Sequence, residues 1–308
     1  MDFSFTPEQD ELREQARGYL AAHEAPSWSD LAELGWTGVS VSEEQGGAGL
    51  GFLEEAVLFE ELGRVLYHGP YFSTVALVLP ALPAELQAEV AAGSSSWTLA
   101  LGPLVPDLDT ASRVATASDV GIFELEGAER ELLQTTDTTR PLGVLVGGES
   151  GRRLADAALV PQLRRRGRVA LALEACGVGR RALEYAVEHV SEREQFGRRI
   201  GGYQAISHPL ASSYLELELA RSLALWAAWC LASGDEQAEI AAAAAKSQAA
   251  EAAVAACERS IQAHGGIGFT WEHILHRLYK RALSIQSWDA SGPELRAEVA
   301  SFLLDEGA

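Results

Sequence analysis

Between Ile240 and Ala263 half of the chain is alanine, twelve of twenty-four positions, with no glycine or proline among them. Alanine is the strongest helix former and carries the smallest side chain that favours a helix. A helix of this composition can lie unusually close to its neighbours, so the stretch predicts the inner member of a tight helical bundle. The flanking sequence supplies the other members. "RVALALEACGVGRRALEYAVEHVSER" reads as one long helix. "QAISHPLASSYLELELARSLALWAAWCLASG" reads as a second, with a bend expected at Pro209. "TWEHILHRLYKRALSIQSW" reads as a fourth after the alanine-rich one, and a closing helix is expected after Pro293.

The first part of the chain is also helical. Thr6-Pro7-Glu8-Gln9 is a start signal, with Thr6 as N-cap and Pro7 at the first helical position. A second helix precedes "ELGWTGVSVSEEQGGAGLGF". "FLEEAVLFEELGRVLYHG" reads as a third, closed by Gly69-Pro70, with a fourth over 75–82 and a short one after Pro83. From Ser94 to Gly148 the pattern changes to short β-prone runs: "WTLALGPLVP", "RVATASDVGIFEL", "ELLQTTDT" and "PLGVLVGG". The expected organisation is a mainly α chain: an N-terminal helical domain over 1–95, a reduced β domain over 96–150 and a C-terminal four-helix bundle over 151–308.

The formal charge is -20. A surface this acidic repels nucleic acid and anionic membranes, so an anionic ligand needs local positive charge or bare backbone amides. The three cysteines, Cys176, Cys230 and Cys257, are odd in number and lie in no metal-ligand spacing. They read as reduced thiols of a cytoplasmic protein. "MDFSFTPEQDELREQ" has no apolar core, which argues against a secretory leader, and no run of about 18 apolar residues predicts a membrane span.

Two glycine-bearing turns interrupt the bundle helices. "REQFGRRIGGYQ", Arg193 to Gln204, reads either as a helix end capped by Gly197 or as a site for a phosphate-bearing ligand. In the second reading Arg193 forks onto a pyrophosphate, Phe196 offers a stacking face and Gln204 reaches a ribose or base. "QAHGGIGFTWEH", Gln262 to His273, again runs a helix into paired glycines, Gly265 and Gly266, which permit close backbone approach. His273 and His276 stand three apart on an expected helix face; solvated or capping roles are favoured over a metal pair. Arg277, Lys280 and Arg281 form the densest basic patch of the last bundle helix, expected as a solvated face, with help in holding an anion as the alternative.

At these residues the chain resembles the acyl-CoA dehydrogenases. "ELGWTGVSVSEEQGGAGLGFLEEAVLFEELGR" (Glu33–Arg64) resembles the family's N-terminal helical domain, "REQFGRRIGGYQ" its RxQFG motif and "QAHGGIGFTWEH" its QxxGGxGf motif. The resemblance implies α,β-dehydrogenation of an acyl-CoA thioester, a step of lipid β-oxidation. A carboxylate takes the α-proton, FAD takes the β-hydride, and an electron-transfer flavoprotein accepts the electrons. It also implies that each flavin lies at a subunit interface. The adenosine diphosphate end would be held by Arg193, Phe196, Gln204, Gln262, Gly265 and Gly266 for a neighbouring subunit.

The chain departs from the family in the β domain and at the base. The flavin-ring loop of the family has no counterpart in "LALGPLVPDLD". The position of the usual catalytic Glu carries Asp289, one methylene shorter, with N-capping or turning the chain before the closing helix as the alternative to a catalytic role. An alternative base position falls on Gly167, which has no side chain, with Glu174 two turns along. These departures point to the smaller subunit of a heterotetramer, paired with a homologous full-length subunit that supplies the ring-side loop, the acyl pocket and the base. Two other readings stand beside it: a self-sufficient homo-oligomer with Asp289 as base, and a flavin-free scaffold subunit.

Overall fold

The computed structural model describes residues 6–305. The reading of the N-terminus rests partly on residues 1–5, which lie outside the described residues. Mostly helical, the chain divides into two compact units, one of residues 6–58 and 67–170 and the other of 59–66 with everything from Leu171 onward.

The first helix, α1 (Pro7–Ala22), begins as its sequence requires. The Thr6 hydroxyl accepts the Gln9 N–H, and the Gln9 side chain accepts the Thr6 N–H, a reciprocal capping box. Ser27 and Asp30 repeat the device at α2 (Trp28–Glu33). Helix α3 (Phe52–Arg64) ends earlier than its hydrophobic pattern predicts, because Leu66 turns the chain at φ +53°. The expected fourth helix is a π-helical stretch, Phe72–Val78, followed by a 3₁₀ turn, and α4 (Ala84–Ala91) follows Pro83.

Seven short strands make up the β region: β1 (Trp97–Ala100), β2 (Val105–Pro106), β3 (Arg113–Ser118), β4 (Gly121–Glu126), β5 (Glu129–Leu132), β6 (Leu142–Val146) and β7 (Glu149–Ala155). One sheet has the order β1-β3-β4-β7, with β1 and β3 parallel, and a second has the order β2-β6-β5. Val105, Leu108 and Val114 form a small core, packed by Ala100, Leu125 and Leu145. Strand β7 runs past the last β-prone run in the sequence. Its segment "ESGRRLA" has no β-branched residue and is a strand because β4 supplies its partners.

Asp107, in the stretch "LALGPLVPDLD", is buried in a left-handed turn at φ +52°. Its carboxylate accepts the Ser73 hydroxyl at 2.7 Å and pairs with Arg140, whose guanidinium lies over the Phe72 ring. This stretch is used to close the chain's own core. In the same unit Glu55 is buried and paired with Arg166; burial raises the Glu55 pKa while the Arg166 charge opposes the rise.

The other unit is built on the part of α5 (Val160–Glu192) from Leu171 onward, with α6 (Gln204–Ser233), α7 (Ala238–His264), α8 (Leu275–Ser287) and α9 (Gly292–Asp305). Helix α6 is continuous through Pro209, which sits in its second turn. Helix α7 packs on α6, α8 and α9, and its alanines make the close approach possible. A Cβ on Gly179 of α5 would lie 3.0 Å from the Ala253 Cα of α7. The α5 backbone also meets α3 closely: a Cβ on Gly177 would stand 2.0 Å from the Glu60 carbonyl oxygen, and one on Gly63 2.3 Å from that of Glu174. No helix among the described residues is long and apolar enough to cross a membrane.

Candidate functional site

The first glycine-bearing turn is not a helix cap. Helix α5 stops at Glu192, and the chain forms a small hairpin from β8 (Glu194–Gln195) and β9 (Arg198–Arg199). Gly197 is the second residue of its two-residue turn, so the capping role expected for it is corrected. Phe196 and Gly197 both have positive φ, +52° and +80°, the twist that a two-residue hairpin needs. Glycine takes this conformation freely, but a side-chain-bearing residue pays about 1–2 kcal/mol. Phe196 does so as a residue 94% exposed. The hairpin is braced by the Tyr203 hydroxyl, which donates to the Gln195 carbonyl at 3.1 Å, and by Arg198 stacked on the Tyr203 ring. Arg193 is exposed at the hairpin's base, and Gln204 is exposed at the first position of α6.

The second turn follows α7. Gln262 is exposed in the last helical turn, and its carbonyl accepts the Gly265 N–H. Gly265 leaves the helix at φ +63°. Neither Gly265 nor Gly266 has any atom within 4 Å of where a Cβ would stand, so this backbone is open to an approaching group. Ile267, Phe269 and Trp271 project outward beyond it, and the Lys280 ammonium sits 3.9 Å from the Trp271 ring.

Three imidazoles bring the two turns to one end of the bundle. His189, one turn before the end of α5, stacks on His264, the last residue of α7, at 4.4 Å between ring centres. His273 packs against His264 at 4.5 Å. The His273 Nδ1 accepts the Leu275 N–H at the start of α8, so it lies ahead of that helix and shares no face with His276, which packs on Trp271. Among the described residues no group of three His, Cys, Asp or Glu is arranged to hold a metal ion.

The basic patch expected on α8 is dispersed. Arg281 is 1% exposed and donates to Glu174 at 2.6 Å, so a residue expected to face solvent anchors α8 to α5. The same pair engages the Glu174 carboxylate. The three cysteines are free and buried, and burial pushes each thiol pKa up, which suppresses the reactive thiolate.

Asp289 lies half-buried between α8 and α9 at φ +64°. Sequence reasoning missed its support, Lys246 on α7. This lysine is 1% exposed, and its ammonium donates to the carbonyls of Trp288 and Ala290, which flank Asp289. Ser291 rather than Asp289 caps α9, through Glu294 at 2.6 and 2.7 Å. Asp tolerates the left-handed region better than most residues, which suits a turn-forming role.

Residues 6–83 match the family model "Acyl-CoA dehydrogenase, N-terminal domain", and residues 162–297 match "Acyl-CoA dehydrogenase, C-terminal domain". The chain is 33% identical to acyl-CoA dehydrogenase IpdE2 of Mycobacterium tuberculosis over 298 residues, 89% of this chain and 91% of that protein. It is 34% identical to acyl-CoA dehydrogenase FadE34 of the same organism over 305 residues, 89% of this chain but 42% of that longer protein. Among solved structures, a variant of the Tcur3481–Tcur3483 steroid ACAD is similar with a TM-score of 0.88 and 27% identity, covering 97% of this chain and 98% of that one.

Proposed function

The chain belongs to the acyl-CoA dehydrogenase family, and from that premise we propose that it lends the adenosine-side half of an FAD site to a homologous full-length partner subunit. The observation that carries this reading is Phe196. An aromatic residue held in a strained backbone conformation and left 94% exposed is a cost this chain does not recover alone. A ligand or subunit that covers the ring offsets it.

The residues at the turns fit the diphosphate end of FAD. Arg193 supplies a charge-assisted fork in an otherwise acidic chain, and Gly265 and Gly266 supply backbone that a phosphate can approach. Phe196 supplies a stacking face, and the exposed Gln204 and Gln262 supply amide hydrogen bonds to the sugar or base. When bound in such an enzyme, FAD accepts the hydride lost from the β-carbon of the acyl thioester. In this reading residues 96–150 are a reduced middle domain, and the partner brings the flavin-ring contacts, the acyl-CoA pocket and the base. Two observations support that division. Asp107 is occupied in this chain's own core, and Asp289 forms a turn gripped by Lys246. The similar solved structure carries two names, Tcur3481 and Tcur3483, and is described as a steroid ACAD, which supports a sterol side-chain acyl group as substrate ahead of a simple fatty acyl group. Electrons would leave to an electron-transfer flavoprotein.

The chain purified alone is expected to be colourless and to acquire flavin absorbance when co-purified with its full-length partner. Full flavin occupancy of the lone chain would sink the proposal. In the complex, Arg193→Ala is expected to weaken flavin retention about tenfold to hundredfold, the worth of one hydrogen bond to a charged group. Dialysis followed by flavin fluorescence measures this, and undiminished retention would remove Arg193 from the site.

Asp289→Gly separates the turn from the base. Glycine accepts φ +64° without strain, so the variant is expected to keep the fold and leave turnover of the complex within about twofold. Loss of turnover by ~100-fold or more, with normal flavin content, would return the base to this chain.

A further inference from the structure

We propose that His264 is the positioning residue of the adenosine half-site, its ring clasped by His189 and His273 so that the Gly265–Gly266 turn is held beside the Arg193 hairpin. This rests on the half-site reading above. His264 is buried and directly precedes Gly265. Its Nδ1 lies 2.8 Å from the Ser260 carbonyl, which can only accept, so Nδ1 carries a hydrogen and the ring orientation is set from α7. The His189 ring stacks on it with 21° between planes, and the His189 carbonyl accepts the Arg193 N–H at 2.9 Å. One ring contact therefore connects the residue that opens the glycine turn with the residue that anchors the arginine. His273 joins from the far side of the same turn in sequence, at 4.5 Å and 54°.

Such a clasp works with neutral rings. Around His189 stand His264, Arg193 and Glu192, of which only Glu192 favours a proton. Around His273 stand His264, His189 and His276, with the Tyr185 ring edge-on at 5.7 Å. Arg277 and Lys280 of α8 act on His276. Burial first, and then the neighbouring imidazoles, hold His189 and His273 below the ordinary histidine pKa. A group whose pKa is depressed on folding contributes fully above its unfolded value and loses that contribution as pH falls. The clasp should accordingly hold above pH of about 6.5 and weaken below it.

The test is hydrogen exchange of the full chain, read on peptides covering residues 265–270 and corrected for intrinsic rates. Protection is expected to be lost progressively as pH falls from ~8 to ~5.5, through the ordinary histidine range. The double variant His189→Phe/His273→Phe keeps both rings and removes the two groups whose pKa is depressed, and is expected to flatten that dependence. His264→Gln keeps a polar group and removes the ring, and is expected to be poorly protected at both pH values. A wild-type turn whose protection ignores pH, or a His189→Phe/His273→Phe turn that loses it as wild type does, would overturn the clasp. ADP is added in parallel as the probe of the half-site, and it is expected to raise protection of the turn in wild type at pH ~8 more than at pH ~5.5. The pH-dependent pattern without any added protection from ADP would overturn the half-site reading while leaving the clasp in place. Thermal melts of each variant at pH ~8 confirm that the bundle is folded.

Discussion

Glu174→Leu is expected to destabilise the chain by about 3–5 kcal/mol, because it strips the carboxylate from a guanidinium that has almost no contact with water. Arg281 donates to Glu174 Oε1 at 2.6 Å, and the two side chains are 1% and 4% exposed. Removing both charges from water is costly, and their attraction in the interior only roughly offsets that cost. Removing one leaves the cost and deletes the offset. Arg281→Met should therefore be about as damaging as Glu174→Leu, and the double variant Glu174→Leu/Arg281→Met should lie within about 1 kcal/mol of wild type. Urea unfolding of the four proteins closes the cycle. Single variants that each cost less than ~1 kcal/mol would show that the pair is neither dry nor coupled. The consequence reaches function, since α8 follows the glycine turn and this pair fastens α8 to α5.

Gly177→Ala is the second large effect, about 3 kcal/mol destabilising and against the grain of helix propensity. On an exposed helix the same change gains up to about 1 kcal/mol. Gly18 in α1, with nothing within 4 Å of its would-be Cβ, is the internal control and is expected to show that gain. At Gly177 the new Cβ would meet the Glu60 carbonyl oxygen at 2.0 Å, and that atom belongs to α3 backbone with no flexible end to give way. The two helices must separate, which also strains the Glu60–Arg221 pair, where the Arg221 Nε donates at 2.7 and 2.9 Å. Thermal denaturation of Gly18→Ala and Gly177→Ala decides the matter. A Gly177→Ala variant as stable as wild type would mean that α3 and α5 are not in backbone contact.

Much of the fold was legible because its signals are local. The Thr6–Gln9 capping box and the alanine content of α7 each act within a few residues. The two glycine-bearing turns and the helical N-terminal domain carried the resemblance to the family to which the chain belongs. What was misread lay in the same stretches. Gly197 looked like a helix cap because a helix precedes it, yet the chain pairs Gln195 with Arg198 and makes a hairpin. Arg281 looked like a member of a solvated patch because two cations stand near it in sequence, yet its side chain faces the bundle.

The sequence by itself determined most of the helices, the cap at Thr6, the close-packed bundle and the family, since propensity, periodicity and glycine-bearing motifs are properties of neighbouring residues. Only the tertiary structure decided which charges are buried and which rings touch. Glu174 meets Arg281 across 107 positions, and His189, His264 and His273 converge from three separate segments. Pairings of that kind depend on how whole elements pack, because the cost of drying a charge or a ring is set by what surrounds it in space.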